Sequence, residues 1–231
     1  MSPTTARLEA ILFDFDGTLS SLTLDFDRLR RKITALAEPF LGEEPEPSEL
    51  PVLEWLDELA GEIREFDHAL GQEFHCRGRL VIQATELDAA RESELFPFTR
   101  PMLASLRACG IKTGILTRNS TAAVKVVFPD IAACCDAFVA REDTPRVKPD
   151  PAHALAVLAR LNVAPERALL VGDHPLDIQA ARAAGLYSAA VESGHSSREA
   201  LAAAHPDYLA RDCAELMTLL CAEHPLPLPC G

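Results

Sequence analysis

The sequence has few basic residues, no long apolar run and no paired-cysteine motif, and each shortage excludes a class of protein. Its 231 residues include 22 Lys and Arg against 35 Asp and Glu, which gives a formal net charge of −13. A chain this acidic lacks the basic surface that binds a nucleic-acid backbone. No apolar run approaches the roughly 20 residues that cross a bilayer. We therefore expect a protein that binds neither nucleic acid nor membrane.

The cysteines lack the spacing of a disulfide framework or a zinc site. Their number is odd and no CxxC pair occurs among Cys76, Cys109, Cys134, Cys135, Cys213, Cys221 and Cys230. Free thiols in a reducing compartment are the simplest interpretation. Residues 1–7 run directly into the first predicted strand and leave no room for a secretory signal. The expected location is therefore cytoplasmic.

The acidic residues are concentrated in one part of the chain. Residues 20–95 hold 18 acidic and 8 basic residues, whereas the remainder holds 17 and 14. Apolar residues recur there at helical spacing and predict three helices: Asp25–Glu38, Val52 to near Gly71, and a third after a break at Cys76-Arg77-Gly78. We predict a small helical domain over residues 20–95, inserted into a second domain of residues 1–19 and 96–231.

The second predicted domain alternates short apolar runs with helical patterns. The predicted strands are residues 10–13, 111–116, 137–139, 168–171, 187–191 and 208–209, and the predicted helices are residues 100–108, 120–128, 151–161, 175–184, 197–204 and 212–221. Such alternation is typical of an α/β protein, with a Rossmann-like parallel sheet and helices on both faces. Ligands of such sheets bind outside the carboxyl ends of the strands.

The first predicted strand ends in two carboxylates. The run Ala10–Phe13 leads into Asp14-Phe15-Asp16-Gly17-Thr18-Leu19. Residues two apart in an extended chain point to the same side, so Asp14 and Asp16 can face one site. Burying two carboxylates costs several kcal/mol, roughly, unless a cation or hydrogen bonds compensate. This pattern indicates a reactive carboxylate, a proton-handling neighbour and a metal ion.

Three later stretches place polar residues at other strand ends. They are Thr117-Arg118-Asn119 before a helix, Lys148-Pro149-Asp150 before another, and Gly172-Asp173-His174-Pro175-Leu176-Asp177 after the fourth strand. A helix N-terminus offers unpaired N–H groups and a positive dipole end, which suits a phosphate. Taken alone, each stretch has an ordinary alternative: Thr117, Asn119, Asp173 and Asp177 as helix caps or first-turn residues, and Lys148 as a solvated loop cation.

In order, these four stretches resemble the four motifs of the haloacid dehalogenase superfamily. The helical insertion after the first motif resembles the cap of its phosphoglycolate phosphatase-like members. The resemblance implies a phosphatase that acts on a small phosphorylated metabolite. Asp14 would be the nucleophile, Asp16 the proton donor and acceptor, and Thr117, Asn119 and Lys148 would bind the phosphoryl group. Arg118 and His174 are second-rank candidates.

The resemblance also implies a metal site. Asp14, the backbone carbonyl of Asp16, Asp173 and Asp177 would hold a divalent ion, and oxygen ligands with a phosphoryl substrate favour Mg²⁺. A phosphomutase of the β-phosphoglucomutase type would share these residues, and a non-catalytic regulatory binder is a third, weaker hypothesis. The acid at position 16 argues against a dehalogenase. The substrate and the oligomeric state stay open at this point.

Overall fold

A computed structural model describes residues 8–223 of the chain, which divide into two compact units. We call residues 8–22 with 93–223 the core unit, and residues 23–92 the helical unit. The sequence places the division after residues 19 and 95. Residues 1–7 and 224–231, the latter with three prolines and Cys230, lie outside the described residues. The other six cysteines are free thiols, in line with the expectation.

The core unit contains one parallel sheet of six strands. The strands are β1 (Ala10–Phe13), β2 (Lys112–Leu116), β3 (Ala137–Val139), β4 (Ala168–Gly172), β5 (Tyr187–Val191) and β6 (Tyr208–Ala210). Their order is β3-β2-β1-β4-β5-β6, and every neighbouring pair is parallel. The predicted α/β class is therefore confirmed. This order places β1 at the centre, with the carboxyl ends of β2 and β4 on either side.

Seven α-helices belong to the described part of the core unit. They are α4 (Thr99–Ala108), α5 (Thr121–Val127), α6 (Ile131–Cys134), α7 (Pro151–Leu161), α8 (Pro175–Ala184), α9 (Arg198–Ala203) and α10 (Cys213–Glu223). The four-residue α6 was not predicted, because so short a segment shows no periodicity. No helix within residues 8–223 is long and apolar enough to cross a membrane.

The strands alternate their side chains between two apolar layers. Ile11 and Phe13 pack with residues of α4, α5 and α10 on one face, whereas Ala10 and Leu12 pack with α7 and α8 on the other. All four of these β1 side chains are fully buried. A strand covered on both faces is expected to be apolar along its whole length, which is the pattern of Ala10–Phe13.

The helical unit consists of α1 (Phe26–Leu41), α2 (Val52–Phe66) and α3 (His68–Ala90). The predicted break at Cys76-Arg77-Gly78 is wrong, since α3 runs through it. The boundary between α2 and α3 lies at Asp67. Its carboxylate accepts hydrogen bonds from the N–H groups of Ala69 and Leu70 and so caps α3. Gly78 has a packing role instead: a Cβ there would lie 2.2 Å from Cδ1 of Leu56 on α2. Close helix packing, not a turn, explains this glycine.

Candidate active site

The three central strands bring the sequence-predicted residues to one edge of the sheet. Asp14 directly follows β1 and donates its N–H to the carbonyl of Val171 on β4, at 2.8 Å. Thr117 follows β2 and donates its N–H to the carbonyl of Val139 on β3, at 3.2 Å. Asp173 follows β4. Because parallel strands end at the same edge, residues about 160 positions apart in the chain become neighbours.

Lys148 and two acids form a buried charged cluster at this edge. Nζ of Lys148 contacts Oδ1 of Asp14 and lies 2.6 Å from Oδ1 of Asp177. The Lys148 side chain is 2% exposed, so it is not the solvated loop cation of the alternative interpretation. An ammonium at this depth requires carboxylate partners, because an unpaired charge there would cost several kcal/mol.

The acids of the cluster are crowded and poorly hydrated, which shifts their proton affinities. Burial raises the pKa of Asp14 to about 7; Lys148 opposes this shift, and Asp177 and Asp16 add to it. Burial, followed by the charges of Asp14 and Asp177, raises the pKa of Asp173 well above its usual range. Burial alone would lower the pKa of Lys148, but Asp14 and Asp177 outweigh burial and raise it. One lysine is therefore too little positive charge for these carboxylates.

Asp14, Asp173 and Asp177 can together hold a metal ion. One carboxylate oxygen from each lies within 4.8 Å of the others, and all three residues are buried. With Lys148 charged, the three ionised acids leave two negative charges, which a divalent cation balances. Three hard oxygen donors suit Mg²⁺ or Ca²⁺ rather than a thiolate-preferring metal. The residues present thus fit the divalent ion that the resemblance implies.

Two glycines make room for the carboxylate of Asp173. A Cβ on Gly17 would lie 2.6 Å from Oδ2 of Asp173, and a Cβ on Gly194 would lie 1.8 Å from it. The same oxygen accepts a hydrogen bond from the N–H of His195, at 3.3 Å. Residues 193–195 are not identifiable as part of the site from the sequence, because this short segment after β5 contains no Asp, Glu, Lys or Arg that would indicate a role there.

Asp16 is half-buried and is held by the residues that follow β2. Oδ2 of Asp16 accepts hydrogen bonds from Oγ1 of Thr117, at 3.3 Å, and from Nδ2 of Asn119, at 3.1 Å. Thr117 does not cap α5, as the alternative interpretation has it. The cap is Ser120, whose hydroxyl accepts a hydrogen bond from the N–H of Ala123. The two carboxylates of the first motif thus differ in surroundings: Asp14 contacts a lysine, and Asp16 contacts a hydroxyl and an amide.

Asp177 combines a structural contact with its place in the charged cluster. Its Oδ2 accepts the N–H of His174 at 3.1 Å at the start of α8, while its Oδ1 lies against Lys148. The imidazole of His174 accepts the N–H of Leu176, at 3.2 Å, and so caps the helix. Gly172 leaves space for the Asp177 carboxylate, which a Cβ would meet at 2.2 Å. The capping interpretation of Asp177 and the metal interpretation are compatible.

Two of the four basic residues of α1, Arg30 and Lys32, make contacts inside the helical unit. Arg30 donates to the carbonyls of Ser48 and Leu50 and lies over the ring of Trp55, at 5.5 Å from its centroid. Lys32 donates to Oγ1 of Thr85 at 2.8 Å. These contacts connect α1 to the loop before α2 and to α3.

Comparison with known proteins finds a matching family profile and similar sequences. The family profile of haloacid dehalogenase-like hydrolases matches residues 8–185. A phosphoglycolate phosphatase of Salmonella paratyphi A is 35% identical over 132 residues, which cover 56% of this chain and 52% of the relative. The corresponding protein of Escherichia coli K12 is 33% identical over the same length. The chain thus spans about half the length of the curated relatives that it matches.

Solved structures resemble almost the whole chain. A hydrolase from Pseudomonas syringae has a TM-score of 0.67 at 20% identity and covers 94% of this chain and 99% of its own. A haloacid dehalogenase-like family hydrolase from Streptococcus pneumoniae has a TM-score of 0.61 at 21% identity, with 92% and 98% covered. At these identities the likeness establishes the fold.

Proposed function

The chain belongs to the haloacid dehalogenase-like hydrolase family, and we propose that it is a Mg²⁺-dependent phosphatase that hydrolyses a small phosphorylated metabolite. The observation that carries this proposal is the surroundings of Asp14. Its carboxylate contacts Lys148 and shares a metal-competent cluster with Asp173 and Asp177, while Asp16 lies two residues away in different surroundings.

In the first half of the reaction, Asp14 acts as the nucleophile. One of its carboxylate oxygens forms a bond to phosphorus, and the bond from phosphorus to the substrate oxygen breaks. Asp16 gives its proton to that leaving oxygen, so the product departs as an alcohol. Lys148 and the hydroxyl of Thr117 hold the phosphoryl oxygens as their charge is redistributed. The result is an aspartyl-phosphate on Asp14.

In the second half, Asp16 works in the opposite direction. Its carboxylate accepts a proton from a water molecule, whose oxygen attacks phosphorus. The bond from phosphorus to the Asp14 oxygen breaks, inorganic phosphate leaves and the Asp14 carboxylate is restored. A residue that alternates between acid and base needs contacts that tolerate both forms, and the hydroxyl of Thr117 can both donate and accept.

Asp14, Asp173 and Asp177, with the backbone carbonyl of Asp16, would hold the metal ion. A bound Mg²⁺ supplies positive charge that screens the repulsion between the Asp14 carboxylate and an anionic substrate. A small phosphomonoester is the proposed substrate class. Because curated relatives are named phosphoglycolate phosphatases, phosphoglycolate is the first metabolite to test.

The test is hydrolysis of para-nitrophenyl phosphate by the purified chain, with Mg²⁺ or with a chelator. We expect hydrolysis only with Mg²⁺, and we expect Asp14→Asn to reduce kcat by roughly 10⁴-fold or more, as loss of a nucleophile does. The matched control is Asp88→Asn, which makes the same chemical change at an exposed acid on α3 that is paired with Arg91. Hydrolysis that persists in the Asp14 variant or in chelator would overturn the mechanism.

The alternatives give different results when phosphorylated metabolites replace para-nitrophenyl phosphate as substrates. A phosphomutase would return the phosphoryl group to a second oxygen of a sugar phosphate, so isomer formation would exceed phosphate release. A non-catalytic binder would release no phosphate from any phosphomonoester, although it would still bind Mg²⁺. A panel of phosphorylated metabolites, with phosphoglycolate included, therefore assigns both the reaction and the substrate.

A further inference from the structure

His153 is a fully buried histidine outside the proposed reaction. It lies on the first turns of α7, three residues after the helix cap Asp150, and its exposed fraction is 0%. Two backbone groups hold its ring. Nδ1 is 3.3 Å from the N–H nitrogen of Lys148, and Nε2 is 3.2 Å from the carbonyl oxygen of Val139.

These two partners determine which ring nitrogen carries the proton. The Lys148 N–H can only donate, so Nδ1 must present its lone pair. The Val139 carbonyl can only accept, so Nε2 must carry hydrogen. The imidazole is therefore neutral and Nε2-protonated, and a second proton would leave two donors facing each other at Nδ1. Burial, and then the charge of Lys148, lowers the pKa of His153 to about 4, in agreement with this form.

The partners of His153 belong to the two loops that build the proposed phosphate site. The Val139 carbonyl that accepts from Nε2 also accepts the N–H of Thr117, at 3.2 Å. Both polar groups of the Lys148 backbone are hydrogen-bonded. Its carbonyl accepts a hydrogen bond from the side chain of Arg118, and its N–H donates to Nδ1 of His153. One imidazole thus connects the strand end beside Thr117 to the backbone that carries the ammonium of Lys148.

We propose that His153 is a positioning residue, which holds the Lys148 backbone relative to the Thr117 loop so that Nζ of Lys148 stays against Asp14. This inference rests on the proposed function for its kinetic consequence. The positioning itself is a property of the folded chain, and it is measurable without substrate.

The first experiment uses NMR of the full chain labelled with ¹⁵N, at pH 7. We expect ¹⁵N shifts of a neutral, Nε2-protonated imidazole for His153. In His153→Leu, which keeps an apolar side chain of similar length, the amide hydrogen of Lys148 should exchange with solvent at least about tenfold faster, because its acceptor is gone. A protonated or Nδ1-protonated ring, or unchanged Lys148 exchange in the variant, would overturn the proposal.

The second experiment measures kcat and KM on para-nitrophenyl phosphate with Mg²⁺. We expect kcat of His153→Leu to fall about tenfold, the usual size for loss of a group that orients an active-site residue. The control is Val157→Ala, one turn further along α7, which shortens a fully buried side chain that has no polar partner. The control should lower stability but keep wild-type kcat and Lys148 exchange.

Two outcomes separate the inference from the proposed function. If wild type hydrolyses no phosphomonoester, the proposed function fails, while the tautomer and the Lys148 exchange still decide the positioning. If wild type is active and His153→Leu matches it in either kcat or Lys148 exchange, the positioning fails while the function stands. A kcat loss in Val157→Ala as large as in His153→Leu would show that general packing of α7 is responsible, which also overturns the proposal.

Discussion

The two units of this protein differ in whether their charged side chains are exposed or buried. The helical unit, which is described throughout, holds 17 acidic and 8 basic residues, and of all these side chains Glu86 alone is buried. Its ion pairs lie at the surface, as in Arg77–Glu73, where the side chains are 58% and 45% exposed. At the carboxyl edge of the core sheet, by contrast, Asp14, Asp173 and Lys148 are each less than a tenth exposed.

This difference determines what the charges of each unit contribute to stability. An exposed pair contributes about 0–1 kcal/mol to stability, so the helical unit gains little from any one of its pairs. Burying a carboxylate costs several kcal/mol, roughly, before partners compensate. A cluster of three buried acids around one lysine is therefore a poor way to stabilise a fold, and its place at the ligand-binding edge of a parallel sheet explains it better.

Matched removal of one cation from each unit tests this contrast most strongly. Lys148→Met should lower the free energy of unfolding by about 3–5 kcal/mol in chelator, because it leaves Asp14 and Asp177 buried without their partner. Arg77→Met, which removes a cation from an exposed i,i+4 pair, should cost about 0.5 kcal/mol or less. Urea unfolding of both variants and wild type at pH 8 measures the two values. Equal losses would show that the core cluster is as well hydrated as the helical surface.

The contrast also explains which features the sequence could predict. Asp14 and Asp16 were recognisable because two carboxylates end an apolar strand, a pattern that local sequence displays. The helical unit was recognisable by its periodicity, but Gly78 was misread as a break. Its reason for being glycine is Leu56, a residue 22 positions away on another helix. Long-range packing of this kind leaves no trace in a local pattern.

The site shows the same limit. The motifs supplied the candidate site residues, and the folded sheet, with the strand order β2-β1-β4 at its centre, brings Asp14, Lys148 and Asp177 into contact. No local pattern reveals that Gly194 makes room for the carboxylate of Asp173, or that His153 accepts a hydrogen bond from the backbone N–H of Lys148. Both are uncharged groups that act through a neighbour, and their role becomes visible only when the neighbour's position is known.

The pH dependence of stability tests the cost of burying charge in the core unit, through the buried His153, which is neutral in the folded chain. The pKa of His153 falls from 6.5 to about 4 in the folded chain. Between these two pH values the unfolded chain binds the proton more readily than the folded chain. The contribution of neutral His153 to the free energy of unfolding is therefore fully present above pH 6.5 and is lost as pH falls towards 4. The shift corresponds to a contribution on the order of 3 kcal/mol. The difference in unfolding free energy between wild type and His153→Gln, measured by urea titration from pH 7 to pH 4, should shrink by that order; parallel curves would contradict the assignment.

The smallest expected effect comes from adding one methyl group in each unit. Gly194→Ala places a Cβ against the Asp173 carboxylate, which has to rotate away, so the Mg²⁺ concentration for half-maximal hydrolysis should rise about tenfold. Gly61→Ala adds the same methyl group to α2, where the new Cβ meets no atom within 4 Å apart from its chain neighbours and the adjacent helix backbone, and should raise stability by about 0.4–1 kcal/mol. Metal titration of hydrolysis and thermal unfolding separate the two responses. An unchanged Mg²⁺ requirement in Gly194→Ala would mean that Asp173 is not a ligand, since a carboxylate displaced from a metal site cannot leave metal affinity unaltered.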